Sequence, residues 1–268
     1  MNAPPSRLKE RIASGKPVLL AEIHPPQGGD PASWRAAAGR FAGKVHAVGV
    51  SDNRERVAMS ALAAASLLKA DGIEPILHVN TRDRNRIALV SEALGAQALG
   101  IANLLCTSGD HQTLGGYRAA KNVHDIDSVQ LLQAYARLSS DAGLVGEESL
   151  PGAGPFLLGA VASPDADPPA LQMMRLAKKV RAGARFLVTQ PVCDPERFEA
   201  WWKEIVRRGL HEQAAVLAGI RPSGAAETAL ETVRRLSKLP GIRGFCISAD
   251  GDPEAALRIV EESGLSDG

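Results

Sequence analysis

Three polar residues that are suited to acid–base chemistry or substrate recognition interrupt or follow apolar runs of this chain. Glu22 lies in "VLLAEIHPP", Asp110 closes "NLLCTSGD", and Gln190 lies in "FLVTQPV". Two carboxyl groups and an amide suit proton transfer to a bound organic molecule, because a positioned acid or base accelerates such steps. Structural explanations stay open for each: Glu22 pairs with an arginine of the segment 82–86, Asp110 caps a helix, and Gln190 satisfies loop amides.

A row of charged and amide residues follows the apolar run "EPILHVN" and precedes a helix-like stretch. The row consists of Arg82, Asp83, Arg84, Asn85 and Arg86. It fits the rim of a ligand-binding mouth, and it also fits a solvated helix start with internal ion pairs. Both interpretations stay open at this point.

The short motifs of several other enzyme classes are absent from the sequence, which contains no GxSxG, HExxH, CxxC or P-loop. His24 and His111 are isolated, so no metal site is predicted. The widely separated Cys106, Cys193 and Cys246 predict small hydrophobic side chains in the core rather than disulfides. This cysteine usage favours a reducing, cytoplasmic location.

Composition limits the partners of the chain. Lys and Arg number 31 and Asp and Glu number 30, so the formal charge of +1 gives no reason to expect a nucleic acid or an anionic membrane. Hydrophobic residues make up 45% of the chain, which is enough for a sizeable core. No apolar run approaches the roughly 18 residues of a membrane span, so neither a span nor a signal peptide is predicted.

The elements that must position these residues follow from an alternation of short apolar runs with amphipathic stretches. Eight such runs predict parallel strands joined by helices. Their number and spacing favour an α/β protein with a single-domain (β/α)8 barrel over residues 1–268, in which residues 1–16 form a polar helix or extension. A doubly wound open sheet is the alternative, but no strand is followed by GxGxxG. In a barrel, strand-end residues converge on one mouth. The runs cover residues 18–26, 46–53, 74–83, 103–110, 156–164, 186–192, 214–222 and 244–250.

Five motifs, in order from about residue 17 to residue 222, resemble the methylenetetrahydrofolate reductase family. They are "AEIHPP", "RDRN", "TSGD", "DIDSVQLL" and "KKVRAGARFLVTQPVCD", and they are most similar to the branch that is also found fused to a homocysteine methyltransferase. The resemblance implies a barrel that binds FAD and reduces 5,10-methylenetetrahydrofolate to 5-methyltetrahydrofolate with NADH or NADPH. It also implies a place in one-carbon metabolism and methionine biosynthesis.

The resemblance implies catalytic roles for two of the strand-end residues. Glu22 matches the general acid that protonates the departing folate nitrogen, so that the methylene bridge opens to an iminium ion. Burial in an apolar strand would favour such an acid, because it raises the pKa of a carboxyl group. Asp110 matches the aspartate near the flavin's pyrimidine edge and the folate. Gln190 matches the glutamine that binds folate through a hydrogen bond.

Flavin-binding residues are implied in the same way. His78 and Lys179 match positions that contact FAD, Asp83 belongs to the polar rim around the flavin, and the backbone of Ser108 and Gly109 lines it. Family members often have arginine where Ser108 stands, and the segment after strand seven is shorter here than in the family. FMN or no flavin, direct hydride transfer from a nicotinamide, and a folate-binding subunit of a one-carbon complex therefore stay open. A homo-oligomer is also possible.

Overall fold

Eight parallel strands close into a barrel in which each strand pairs with its neighbours in chain order, β1 to β8. The computed structural model describes residues 6–54, 56–138, 150, 154–222 and 226–265. The predicted (β/α)8 barrel is confirmed, and the open-sheet alternative is wrong. That residues 1–268 form one domain stays a prediction. The strands are β1 (Val18–Ile23), β2 (Ala47–Val50), β3 (Pro75–Asn80), β4 (Asn103–Thr107), β5 (Leu157–Ala162), β6 (Phe186–Pro191), β7 (Ala215–Ile220) and β8 (Gly244–Ser248).

Helices alternate with the strands, and some of them begin at a residue whose side chain caps the first turn. The side chain of Asn85 accepts from the Ala88 amide at the start of α4, at 3.0 Å. Asp194 accepts from the Glu196 amide at the start of α7, where Pro195 takes the first helical position. The helices are α1 (Arg7–Ala13), α2 (Ala32–Gly39), α3 (Ala61–Ala70), α4 (Arg86–Ala98), α5 (Ser128–Leu138), α6 (Pro169–Arg181), α7 (Pro195–Arg207), α8 (Leu210–Gln213), α9 (Ala226–Leu236) and α10 (Pro253–Glu262).

Apolar side chains form two layers, one inside the barrel and one between the barrel and its helices. Inside, Leu20, Phe186 and Leu217 belong to one cluster, and Leu8 of α1 packs against it. Close packing of the interior depends on Gly159, because a Cβ there would lie 2.2 Å from the ring of Phe186. The barrel interior below the mouth is therefore filled rather than open.

The end of the barrel opposite the mouth is closed by α1. The buried carboxylate of Glu74 accepts from the backbone amides of Arg7 and Leu8, both at 3.0 Å, and from the Ser6 hydroxyl at 2.9 Å. An anion at the first turn of a helix stabilises it, since the amides there have no partner within the helix. This helix lies in the N-terminal segment for which the sequence predicted a polar helix or extension.

Two further sequence predictions concern membrane spans and the long loop before β5. Across the residues that the structure describes, none of the helices combines the length and apolar character needed to cross a membrane. The predicted loop at 139–155 lies largely outside the described residues.

Candidate active site

A cavity of about 140 Å³ lies at the carboxyl ends of the strands. Glu22 of β1, His78 of β3, Gln190 of β6 and Asp110 after β4 all line it. They converge because parallel strands end on the same side of the barrel and alternate residues point inward. The convergence expected from the strand-end residues is thus present, while the chemical role of each residue stays a prediction.

Glu22 lies deep in this mouth cavity, and its side chain is only 15% exposed. On the neighbouring strands it pairs with Gly49 of β2 and Ser248 of β8. Its ionic partner is Arg54, whose Nη1 lies 3.4 Å from Oε1. The expectation that an arginine of the segment 82–86 pairs with Glu22 is wrong, because a residue just after β2 reaches it instead.

The imidazole of His78 extends over Gly49 of the adjacent strand. A Cβ at Gly49 would lie 2.9 Å from Nε2 of His78, so the absence of a side chain on β2 makes room for the ring. Burial lowers the pKa of His78 although the carboxylates of Glu22 and Asp52 act in the opposite direction. The ring is therefore neutral at pH 7 and has one nitrogen that donates and one that accepts.

Asp110 and Gln190 lie at the rim of the cavity, and both are exposed. The following short 3-10 turn is capped by His111, so the helix-cap interpretation of Asp110 is wrong. The side-chain amide of Gln190 makes no hydrogen bond to any residue that the structure describes, so the loop-amide interpretation is not supported there. Both side chains are consequently available to a ligand in the mouth.

A second cleft of about 370 Å³ adjoins the mouth and shares Gly109, Asp110 and Gln190 with it. Lys179 lines this cleft and donates to the carbonyl of Val161 at 2.7 Å. Burial lowers the pKa of Lys179 to about 8. We call this the lysine cleft.

Ser108 and Gly109 shape one wall of the lysine cleft. The Ser108 hydroxyl lies 3.1 Å from that of Ser128, which joins the end of β4 to the start of α5. Gly109 has φ of +74°, and a Cβ there would lie 3.0 Å from Cβ of Arg82, so both conformation and space favour glycine. The sequence predicts that these residues line a cofactor site. In the structure Ser108 also links β4 to α5, and Gly109 allows the backbone turn beside Arg82.

The charged row 82–86 separates into buried and exposed members. Arg84 contacts the buried carboxylate of Asp52 at 2.5 and 3.2 Å, and Asn85 caps α4. Arg86 pairs with Asp125 at the exposed start of the helix. The interpretation as a solvated helix start is therefore confirmed for Asn85 and Arg86 and wrong for Arg84, and the ion pairs of both arginines reach outside the row.

Arg82 is the member of the row that reaches the mouth cavity. It is buried, and it donates to the carbonyls of Asn53 at 2.7 Å and Asp110 at 3.1 Å. Its neighbour Asp83 pairs with it at 2.7 Å and lines a separate pocket of about 110 Å³ beside Tyr117. The structure does not bring Asp83 together with the lysine cleft, and its contact with a flavin stays a prediction.

His24 stands apart from other candidate ligands in the sequence, but in the structure it contacts two polar side chains. Its Nδ1 contacts the hydroxyl of Ser51, and its Nε2 contacts a carboxylate oxygen of Asp250. Arg221 donates to the same carboxylate oxygen at 2.9 Å. Sequence reasoning missed the contacts within this row and the pairing of Arg54 with Glu22, because the partners come from different strand ends. In the described ranges no three His, Cys, Asp or Glu residues form a group that could hold a metal ion.

The three cysteines differ in burial. Cys106 and Cys246 are buried, as predicted, and burial raises the pKa of both thiols. Cys246 contributes to the floor of the mouth cavity. Cys193 is exposed after β6, so the prediction of a core side chain is wrong there.

Comparison with known proteins identifies the family of this chain and solved structures of similar fold. A family model described as methylenetetrahydrofolate reductase matches residues 7–242. A Caenorhabditis elegans protein named "Probable methylenetetrahydrofolate reductase (NADPH)" is 23% identical over 187 residues, and the match spans 70% of this chain but only 26% of that protein.

Among solved structures, an uncharacterized protein from Clostridium thermocellum that binds two copies of 5-methyl-5,6,7,8-tetrahydrofolic acid has a TM-score of 0.66 at 13% identity, covering 95% of this chain and 98% of that one. Tryptophan synthase from M. tuberculosis has a TM-score of 0.55 at 14% identity, covering 98% and 100%. At such identities these likenesses show the fold alone. The match of the family model over most of the chain shows that this protein belongs to the methylenetetrahydrofolate reductase family.

Proposed function

We propose that this chain reduces 5,10-methylenetetrahydrofolate to 5-methyltetrahydrofolate through a bound flavin, with NADH or NADPH as electron donor. The observation that carries the proposal is the convergence of Glu22, Asp110 and Gln190 on one cavity, from β1, β4 and β6. Membership of the family supports it. The Clostridium thermocellum protein of similar fold, whose ligand is a methylated tetrahydrofolate, supports a folate as the substrate.

Glu22 is the proton donor in this proposal. Reduction at the methylene carbon requires the bridge to open first, and opening leaves a nitrogen that must take up a proton. Three carboxyl groups line the cavity: Asp110 lies at the exposed rim, Asp52 is held by Arg84, and Glu22 is largely buried. A general acid must lie within hydrogen-bond reach of the atom that it protonates. The deep position of Glu22 suits a flat pterin ring that enters from the mouth.

Gln190 and Asp110 orient the substrate at the rim. The Gln190 amide carries two donors and one acceptor, so it can pair with the alternating donors and acceptors of a pterin edge. The carboxylate of Asp110 stabilises positive charge that develops when the methylene bridge opens. Neither side chain has to leave a helix cap or a loop hydrogen bond to do so.

The lysine cleft fits a flavin nucleotide. Lys179 and Arg175 line it and supply positive charge for phosphate groups. The left-handed Gly109 allows a ligand to approach the backbone closely. Its volume of about 370 Å³ lies within the usual range of ligand sites, and it opens into the mouth beside Asp110. When bound there, a flavin supplies hydride transfer between the nicotinamide and the folate.

Flavin-free hydride transfer is the second candidate, and one observation favours it. The residue before Gly109 is a serine whose hydroxyl bonds to Ser128, so this position offers no cation to a pyrophosphate. A charge-assisted bidentate contact is therefore lost relative to an arginine. Looser flavin binding is expected, and direct transfer from the nicotinamide is the limiting case.

The test combines flavin analysis with product analysis. The purified chain is scanned for the visible absorbance of flavin, and it is then incubated without oxygen with 5,10-methylenetetrahydrofolate and NADH or NADPH, with and without added FAD. We expect 5-methyltetrahydrofolate, identified by mass spectrometry, in amounts that rise with bound FAD. Product formation that is equal without any flavin would favour the second candidate. Folate binding without product under all of these conditions would refute reductase activity and leave a binding subunit.

A further inference from the structure

Four consecutive strands of the barrel end in a connected row of polar side chains. The row runs Arg221, Asp250, His24, Ser51, from β7 through β8 and β1 to β2. His24 directly follows the last residue of β1, two positions beyond Glu22. The proposed reduction does not use this row.

Each contact within the row is either a hydrogen bond with a donor and an acceptor or an ion-pair contact. Nε2 of His24 lies against the Asp250 carboxylate as an ion-pair contact that lacks the angle of a hydrogen bond, so the negative charge stabilises a proton on Nε2 by electrostatic attraction. Nδ1 is then an acceptor, and the hydroxyl of Ser51 donates to it. Arg221 donates to the same Asp250 oxygen at 2.9 Å and holds that carboxylate in place. A serine, a base that contacts it and a carboxylate that orients the base form the signature of an activated nucleophile.

We propose that Ser51, His24 and Asp250 make the mouth of this barrel a hydrolase of small activated esters. Ser51 is the nucleophile, His24 is the general base, and Asp250 is a positioning residue. Ser51 lines the mouth cavity, so an ester that enters the mouth meets its hydroxyl. The activity needs neither folate nor flavin, and it is independent of the reductase proposal.

The ester chosen for the test carries a small acyl group. An acetyl group fits within the cavity's volume of about 140 Å³, while the leaving group extends into the open mouth. The guanidinium of Arg54 lines the same cavity and supplies positive charge for the developing oxyanion.

The reaction balances with water as the only co-reactant. The Ser51 oxygen forms a bond to the acyl carbon while its proton moves to Nδ1 of His24. The bond from carbon to the leaving oxygen breaks, and that oxygen takes the proton from His24. Water then attacks the acyl group with His24 again as base, which releases the carboxylic acid and restores the serine.

The test uses p-nitrophenyl acetate and the full chain in a Cys193→Ser background, which removes the exposed thiol as a source of acylation. We expect saturable release of p-nitrophenol with repeated turnover. Ser51→Ala and His24→Gln should each lower kcat/KM by about 100-fold or more, the scale of a lost nucleophile or base. Ser66→Ala removes a serine hydroxyl that bonds to a helix carbonyl away from the mouth, and it should leave the rate unchanged.

Asp250→Asn tests the positioning role by a split between kinetic constants. It should lower kcat and leave KM nearly unchanged, because the carboxylate orients His24 without touching the ester. A purely structural role predicts a lower melting temperature with an unchanged kcat per folded molecule.

Covalent labelling keeps the test decisive when a substitution impairs folding. A small fluorophosphonate is incubated with the Cys193→Ser chain, and the adduct is mapped by peptide mass spectrometry. An adduct on Ser51 that forms faster than on any other serine supports the proposal. Ester hydrolysis that is unchanged in Ser51→Ala, or no adduct on Ser51 while a control serine hydrolase is labelled, overturns it.

Discussion

Two arginines of the segment 82–86 should differ widely in what they contribute to stability. Arg84 is 17% exposed and contacts Asp52, whose side chain is 1% exposed. Arg86 is 58% exposed and pairs with Asp125 at the protein surface. We compare Arg84→Met with Arg86→Met, because methionine keeps the aliphatic length of the side chain and removes its charge.

The magnitude follows from the burial of Asp52. Burial opposes the charge on Arg84, but hydrogen bonds and attraction from Asp52 outweigh it, so that the pKa of Arg84 lies above its ordinary value. Arg84→Met leaves the Asp52 carboxylate buried, and among the described residues the backbone amide of Asn80, at 3.0 Å, is then its remaining hydrogen-bond donor. Removing one partner of a buried ion pair costs about 3–5 kcal/mol. At about 2 °C or more per kcal/mol, the melting temperature should fall by at least about 6 °C.

Arg86→Met is the matched control. Its ion pair lies in solvent, where water screens the attraction and side-chain ordering offsets it. The melting temperature should therefore change by little more than the error of measurement. Both positions hold arginine and lie two residues apart in the sequence, so any difference between the two variants comes from the tertiary structure.

The assay is thermal unfolding followed by circular dichroism, at low salt and at about 1 M salt. At that concentration the screening length falls to about 3 Å, which removes the contribution of exposed pairs. The loss in Arg84→Met should persist at high salt, and any small loss in Arg86→Met should disappear. Equal losses in the two variants, or a loss in Arg84→Met that salt abolishes, would show that Asp52 is not a buried charge that depends on Arg84.

Three further outcomes test the site. Glu22→Gln should lower folate reduction by about 100-fold or more with little change in folate affinity, as stopped-flow and binding measurements can show; normal turnover would remove Glu22 as the acid. Gly49→Ala should displace His78, since its Cβ would lie 2.9 Å from Nε2, and so impair reduction, whereas Gly39→Ala, where a Cβ meets nothing within 4 Å, should not. Burial lowers the pKa of Lys179 from 10.5 to about 8, so between these values the unfolded chain binds more protons and the stability that depends on this lysine rises with pH. Melting temperatures of the wild type relative to Lys179→Met should therefore rise between about pH 8 and pH 10, and a constant difference would contradict the shift.

The fold could be predicted because its signals are local. The spacing of apolar residues within each segment distinguishes a strand from a helix. Because parallel strands require helical connections, eight alternations of strand and helix indicate a barrel. Glycines with positive φ follow three of the helices, at Gly72, Gly183 and Gly209, and glycine at such a position is a local signal for the end of a helix. The convergence of Glu22 and Gln190 followed from the same rule, since inward-facing residues at the carboxyl ends of strands share one mouth.

Pairings across the barrel could not be predicted, because strand register and loop path decide them. Arg54 reaches Glu22 over 32 positions of sequence, although the expected partners were the arginines of residues 82–86, which lie farther along the chain. Residues of a single type also diverge with burial: Cys193 is exposed while Cys106 is enclosed in β4. Composition and spacing do not specify which residues of one type are buried and which are exposed.

The sequence by itself determined the alternating elements, the barrel that they form and the face on which its polar residues gather, since hydrophobic periodicity and the geometry of parallel connections are properties of neighbouring residues. The tertiary structure alone decided which charges are buried and which side chains touch. His24 is isolated in the sequence, yet β1 lies between β2 and β8, and this places it between Ser51 and Asp250. Closure of the barrel brings the last strand beside the first, and no local pattern specifies which side chains then meet.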